Sequence, residues 1–157
     1  MLSSLTITDL SPLKYIFKAW IIAFVPTILI GLVVGLVCEP KENMMGQDTM
    51  SIPVVFFGMV VFSPIVETLL MMVVFWFLRK FTQVSVKLVI WSAILWAILH
   101  STAWLPWGLI VLWGFVVFSI CYLSWEKVSR WRAFWITSAT HAMLNLIPAV
   151  LTVMSMK

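Results

Sequence analysis

Long apolar runs separated by short polar stretches make up most of this chain. A helix rising 1.5 Å per residue needs roughly 20 apolar residues to cross a bilayer core. Five stretches read as such spans. The first runs from about Ala19 to Cys38 and is entered through Lys14 and Lys18. A polar loop, "EPKENMMGQDTMS", follows at 39–51. The second span runs from about Ile52 to Leu78 and stops at Arg79-Lys80. Between Lys87 and Glu126 stand 38 residues without Asp, Glu, Lys or Arg, room for two spans joined by a turn at "WLPWG" (104–108). Pro and Gly break helix there, and Trp suits the interface. The fifth span runs from Ala133 to about Met156.

Composition agrees with this pattern. The chain is 63% hydrophobic and 10% charged, with a mean hydropathy of +1.11, where a soluble domain carries roughly 25% charged residues. The first apolar run is long and no A-x-A-like site follows it, which argues against a cleaved signal peptide. Cys38 and Cys121 are isolated, without metal-ligand spacing, and read as lying near opposite faces, so no disulfide is expected.

Charge supplies the orientation. Lys14, Lys18, Arg79, Lys80, Lys87, Lys127, Arg130 and Arg132 fall on one side, leaving only Lys41 and Lys157 opposite. The positive-inside rule places the N-terminus in the cytoplasm and the C-terminus outside. The net charge of +4 is therefore loop charge and implies no nucleic-acid partner. The reading is an all-α polytopic transmembrane bundle of about five spans, one domain over residues 1–157, contacting membrane lipid. Its small size and short loops suggest a prokaryotic cytoplasmic membrane. "GLVVG" at 31–35 is a GxxxG pattern suited to close packing, within the chain or in a dimer.

The polar residues inside the spans change the picture from bundle to site. Glu67, in "SPIVETLLMM" (63–72), is the one carboxylate in any span. His100 closes "WAILHS" (96–101), and His141 and Asn145 share "HAMLN". An acid at the centre of a span costs roughly 2.5–3.5 kcal/mol on insertion scales, so it faces a bundle interior and finds a partner. Glu67 is 12 residues from Arg79, His100 is 13 from Lys87, and Asn145 is 13 from Arg132. These offsets stand for about 18–20 Å of helix, and His141 for about 13 Å. His141 and Asn145, four apart, share a helix face. One cluster at matched depth is expected, with Trp96 packed against it.

Such a set suits peptide hydrolysis, which needs a base for water and donors for an oxyanion. Glu67 with His100 would bind and deprotonate the water, and His141 and Asn145 would stabilise the tetrahedral oxyanion. The same Glu67, His100 and His141 would alternatively hold Zn²⁺ with water in the fourth position, although no HExxH is present. Interhelical hydrogen-bonding, a proton or metal carrier, and a bis-histidine haem site on His100 and His141 remain open on this evidence.

These residues resemble the motifs of the CPBP intramembrane proteases, also called the Abi or type II CAAX prenyl endopeptidase family. Members carry EExxxR, then FxxxH, then HxxxN or HxxxD, each on a different transmembrane helix. Here "PIVETLLMM" aligns with the first, "WAILH" with the second and "HAMLN" with the third, over roughly residues 52–150. The resemblance implies a helical bundle with a polar cavity open toward membrane or cytosol. It implies Glu67 and His100 as water activators and His141 and Asn145 as oxyanion stabilisers, in a glutamic-type or metal-dependent protease. It further implies a protein or peptide substrate, C-terminal or lipidated in some members, or a role in bacteriocin immunity. Thr68 stands for the second Glu, Met72 for the Arg, and Trp96 for the Phe. Losing both members of a buried ion pair leaves no unpaired charge, yet it bears on carboxylate binding and rate. By the same resemblance the first span is an addition to a four-helix core.

Overall fold

The computed structural model describes residues 2–39 and 49–156, and every regular element among them is helical. A 3-10 turn at Leu2–Leu5 precedes α1 (Pro12–Val37). α2 (Ile52–Phe57), a π-helical stretch at Gly58–Phe62 and α3 (Ser63–Leu78) form one rod. α4 (Ser85–Ser101), α5 (Trp107–Glu126) and α6 (Arg130–Ser155) complete the bundle. Lys41, Lys157 and most of the 39–51 loop lie outside the described residues.

Among the described residues four helices are long and apolar enough to cross a membrane: α1, the Ile52–Leu78 rod, α5 and α6. They fit an integral membrane protein, and the exposed Leu, Val, Ile, Phe and Trp side chains on α1 and α3 suit contact with lipid. α4, expected as a full span, has 17 residues and falls short of that length. α1 begins at Pro12 rather than near Ala19, so Lys14 and Lys18 lie within the helix. A lysine stem can lie along apolar surface while its ammonium reaches outward, and Lys18 Nζ donates to the carbonyl of Ser4 at 3.1 Å. Lys87 likewise falls in the first turn of α4, and Arg130 and Arg132 in that of α6. Ser129 caps α6, its Oγ accepting from the N–H of Arg132.

α5 is the most buried of the long helices and packs against α1, α4 and α6. Its contact with α4 is made close by small residues. A Cβ at Gly108 would overlap Ser101 Oγ and the carbonyl of Ala97, and Ser119 Oγ donates to Ser92 Oγ at 3.2 Å further along. The GxxxG glycines do less: Gly31 faces Ile110 at ordinary contact distance, and nothing lies within 4 Å of a Cβ at Gly35.

Two prolines set up cross-helix hydrogen bonds. Pro26 has no N–H, so the carbonyl of Ile22, four residues earlier, loses its helical donor. Trp113 Nε1 on α5 donates to that carbonyl at 2.8 Å. α1 is thereby bound into the bundle. It contacts both α5 and α6.

At the end of the bundle rich in basic residues, Arg79 donates to both carboxylate oxygens of Glu126, joining the end of α3 to the end of α5. Phe75 stacks on Tyr122 one turn inside that pair.

Candidate functional site

Three helices bring the sequence-derived residues together. Glu67 lies on α3 one turn beyond Ser63, His100 in the last turn of α4, and His141 in mid-α6. Glu67 Oε2 stands 3.9 Å from His100 Nε2 and 3.9 Å from His141 Nε2. The three side chains are mostly buried, at 16%, 14% and 6% exposure respectively.

The hydrogen bonds around Glu67 are uneven. Its Oε1 accepts from Ser63 Oγ, while its Oε2 is buried without a partner. His100 Nδ1 lies 2.8 Å from the carbonyl of Trp96. A carbonyl only accepts, so Nδ1 carries the hydrogen, and in the neutral ring Nε2 presents its lone pair toward Glu67. Two acceptors face each other when Glu67 is ionised and His100 neutral. At 3.9 Å they are too far apart for a direct hydrogen bond.

Aromatic rings fix the imidazoles. His141 stacks on Phe118 with centroids 4.4 Å apart, and Phe115 meets both histidine rings at 5.3 and 5.7 Å. Trp107 stands edge-on to His100 at 4.9 Å. Trp96, expected to pack against the cluster, lies flat on Phe115 at 4.8 Å.

Asn145 is placed differently from the other three. After the π-helical stretch Gly58–Phe62, the N–H of Ser63 serves the Gly58 carbonyl, and Pro64, five beyond Met59, has no N–H to give. Asn145 Nδ2 donates to the Met59 carbonyl at 3.0 Å. One amide hydrogen is thus committed to the backbone and the second is not, and Asn145 lines the chamber.

That chamber has a volume of about 540 Å³, within the range of small-molecule sites. Ser63, Glu67, His100, His141 and Asn145 all line it, together with Thr27 and Thr152. Its remaining walls are largely apolar, and they extend to Met50 and Trp104, away from Arg79 and Glu126. α1 contributes Phe24 and Thr27, and the Thr27 hydroxyl is buried without a partner.

Ser63, Thr27, Trp107, Phe115 and Phe118 were not anticipated from sequence. Ser63 carried a signal, being four residues before Glu67 on one helix. The aromatic residues carried none, because nothing local separates a ring facing an imidazole from one facing lipid.

At the two positions where the motif departs, Thr68 is fully buried and its Oγ1 donates to the Pro64 carbonyl at 2.7 Å. Met72 packs against the apolar core. Neither position leaves a charge without a partner.

Zinc fits this arrangement poorly. Ligand atoms at about 2.0–2.1 Å in a tetrahedron stand about 3.3–3.4 Å from one another, closer than the 3.9 Å separations here. Among the described residues no three His, Cys, Asp or Glu side chains form a group suited to a metal ion.

No protein-family model, curated protein or solved structure matches the chain.

Proposed function

We propose that this protein is an intramembrane peptidase of the CPBP type, hydrolysing a peptide bond with water activated by Glu67 and His100. The observation that carries this reading is the unpartnered Glu67 Oε2, 3.9 Å from the Nε2 atoms of two imidazoles on two other helices. A water admitted between Glu67 Oε2 and His100 Nε2 would donate to both acceptors.

In this mechanism the water gives its proton to Glu67 as its oxygen attacks the scissile carbonyl carbon. The oxyanion accepts from His141, when its Nε2 carries the hydrogen, and from the second amide hydrogen of Asn145. Collapse breaks the C–N bond, and the proton held by Glu67 passes to the leaving nitrogen. Ser63 donates to the other carboxylate oxygen, leaving Oε2 to take the proton.

The topology belongs to the same proposal. α4, though short, counts as the fifth span, the basic end faces the cytoplasm, the N-terminus is inside and the C-terminus outside. The host membrane is a prokaryotic cytoplasmic membrane. On that orientation the chamber reaches toward the outer face, opposite to a cytosolic opening, and its substrate is a membrane-associated protein or peptide.

The test is cleavage of quenched-fluorescence peptides with apolar cores by the purified protein in proteoliposomes. Wild type cleaves and E67Q does not; equal turnover removes Glu67 as the base. A second reading is a non-catalytic member-like protein that binds a peptide or partner, as in immunity. Thr68, Met72 and the commitment of Asn145 to the Met59 carbonyl favour it. It predicts peptide binding that persists in E67Q, with no cleavage by either protein.

A further inference from the structure

A second cavity, of about 480 Å³, lies at the basic end between α3, α5 and the start of α4. Arg79, Gln83, Ser85, Glu126, Lys127 and Arg130 supply its polar lining, three cations against one carboxylate. Glu126 is already engaged, accepting from Arg79 and standing 3.8 Å from Arg130 Nε. Two of the five guanidinium N–H donors of Arg79 go to Glu126, leaving others free. Lys127 pairs with no carboxylate among the described residues, and the first turn of α4 holds no acid.

The location narrows what such a pocket would take. α3 passes from apolar helix to Arg79 at this level, and Trp76, Phe77 and Phe81 are exposed beside it. Lys80 lies over the Trp76 ring at 4.0 Å, as at an interface where acyl chains give way to headgroups. Basic pockets between membrane helices on such a face suit anionic headgroups.

We propose that this pocket binds the phosphate of an anionic phospholipid headgroup, with Arg79, Lys127 and Arg130 as donors and the neighbouring aromatic side chains against the acyl chains. Bound there, the lipid bridges the end of α3, which carries Glu67, to the end of α5, which carries the rings around both histidines. The site is independent of the hydrolase reading.

The test uses the full chain in nanodiscs of phosphatidylcholine with a minor share of phosphatidylglycerol, followed by native mass spectrometry after detergent release. Wild type retains phosphatidylglycerol over phosphatidylcholine. The exposed-residue double variant K127Q/R130Q retains it roughly 10-fold less or weaker still. K14Q/R132Q, which removes the same charge outside the pocket, behaves as wild type. Equal loss in both doubles means diffuse surface charge and overturns the site, as does wild type with no preference between the lipids. Displacement of phosphatidylglycerol by inorganic phosphate alone overturns the assignment to a lipid.

Discussion

Asn145 Nδ2 donates to the carbonyl of Met59, a backbone group that the helix itself leaves unserved because Pro64 has no N–H. The same arrangement recurs at Ile22, freed by Pro26 and served by Trp113. In lipid, where water does not compete, each freed carbonyl needs such a donor. Pro26 and Pro64 are thus each matched by a side-chain donor from another helix.

Asn145→Ala removes the donor and leaves the Met59 carbonyl unpaired. The expected loss is about 1–2 kcal/mol, the scale of a buried unsatisfied carbonyl or an interhelical bond in a membrane. Thermal unfolding in detergent reads it. Unchanged stability with reduced turnover would instead assign the amide wholly to the reacting carbonyl.

The Trp113–Ile22 bond supports a sharper experiment. Trp113→Phe leaves the Ile22 carbonyl unpaired and costs about 1–2 kcal/mol. Pro26→Ala restores an N–H at position 26, so in that background the same Trp113→Phe change costs less. A double-mutant cycle measures the difference; equal costs in both backgrounds would show that the proline does not create the need for the indole.

Much of the bundle was legible in the sequence because bilayer crossing is a local requirement. The rod over Ile52–Leu78 stands where its apolar run and the Arg79-Lys80 stop placed it. The convergence of Glu67, His100 and His141 was expected and is present, but the count from the basic anchors put Asn145 rather than His141 at the depth of Glu67, and Asn145 instead serves Met59. What sequence left hidden is non-local. Pro26 announced a freed carbonyl at Ile22 but not Trp113 as its donor, and the π-helical register by which Pro64 frees Met59 had no local signal. The resemblance made α1 an addition to a four-helix core and gave no sign that its Phe24 and Thr27 line the chamber. Its early start was missed because Lys14 and Lys18 read as a boundary. The shortness of α4 was masked by 38 charge-free residues that hid where the turn falls.

Glycine gives a paired prediction. Gly108→Ala forces a methyl into Ser101 Oγ and the Ala97 backbone, parting α4 from α5 close to His100. Overpacking of this kind costs about 1–3 kcal/mol, so thermal stability falls. Gly35→Ala has open space and is neutral or slightly stabilising, since Ala exceeds Gly in helix propensity by about 1 kcal/mol. A larger loss at Gly35 than at Gly108 would place the tight helix contact at the GxxxG pattern.

His100 depends on its bond to the Trp96 carbonyl for the tautomer that aims a lone pair at Glu67. His100→Gln keeps polarity and approximate length but supplies no basic nitrogen. Turnover falls by about 10²-fold or more, the usual share of a positioned acid–base group, with stability nearly unchanged. Matched losses in stability and turnover would make His100 a packing residue.

The central claim is that Glu67 and His100 act as one unit on one water. Turnover of E67Q, H100Q and the double variant on the same peptide in proteoliposomes tests it most directly. Groups acting together are non-additive, so each single variant loses nearly all activity and the double loses little more. Losses that multiply in the double variant, or turnover in E67Q equal to wild type, would contradict it.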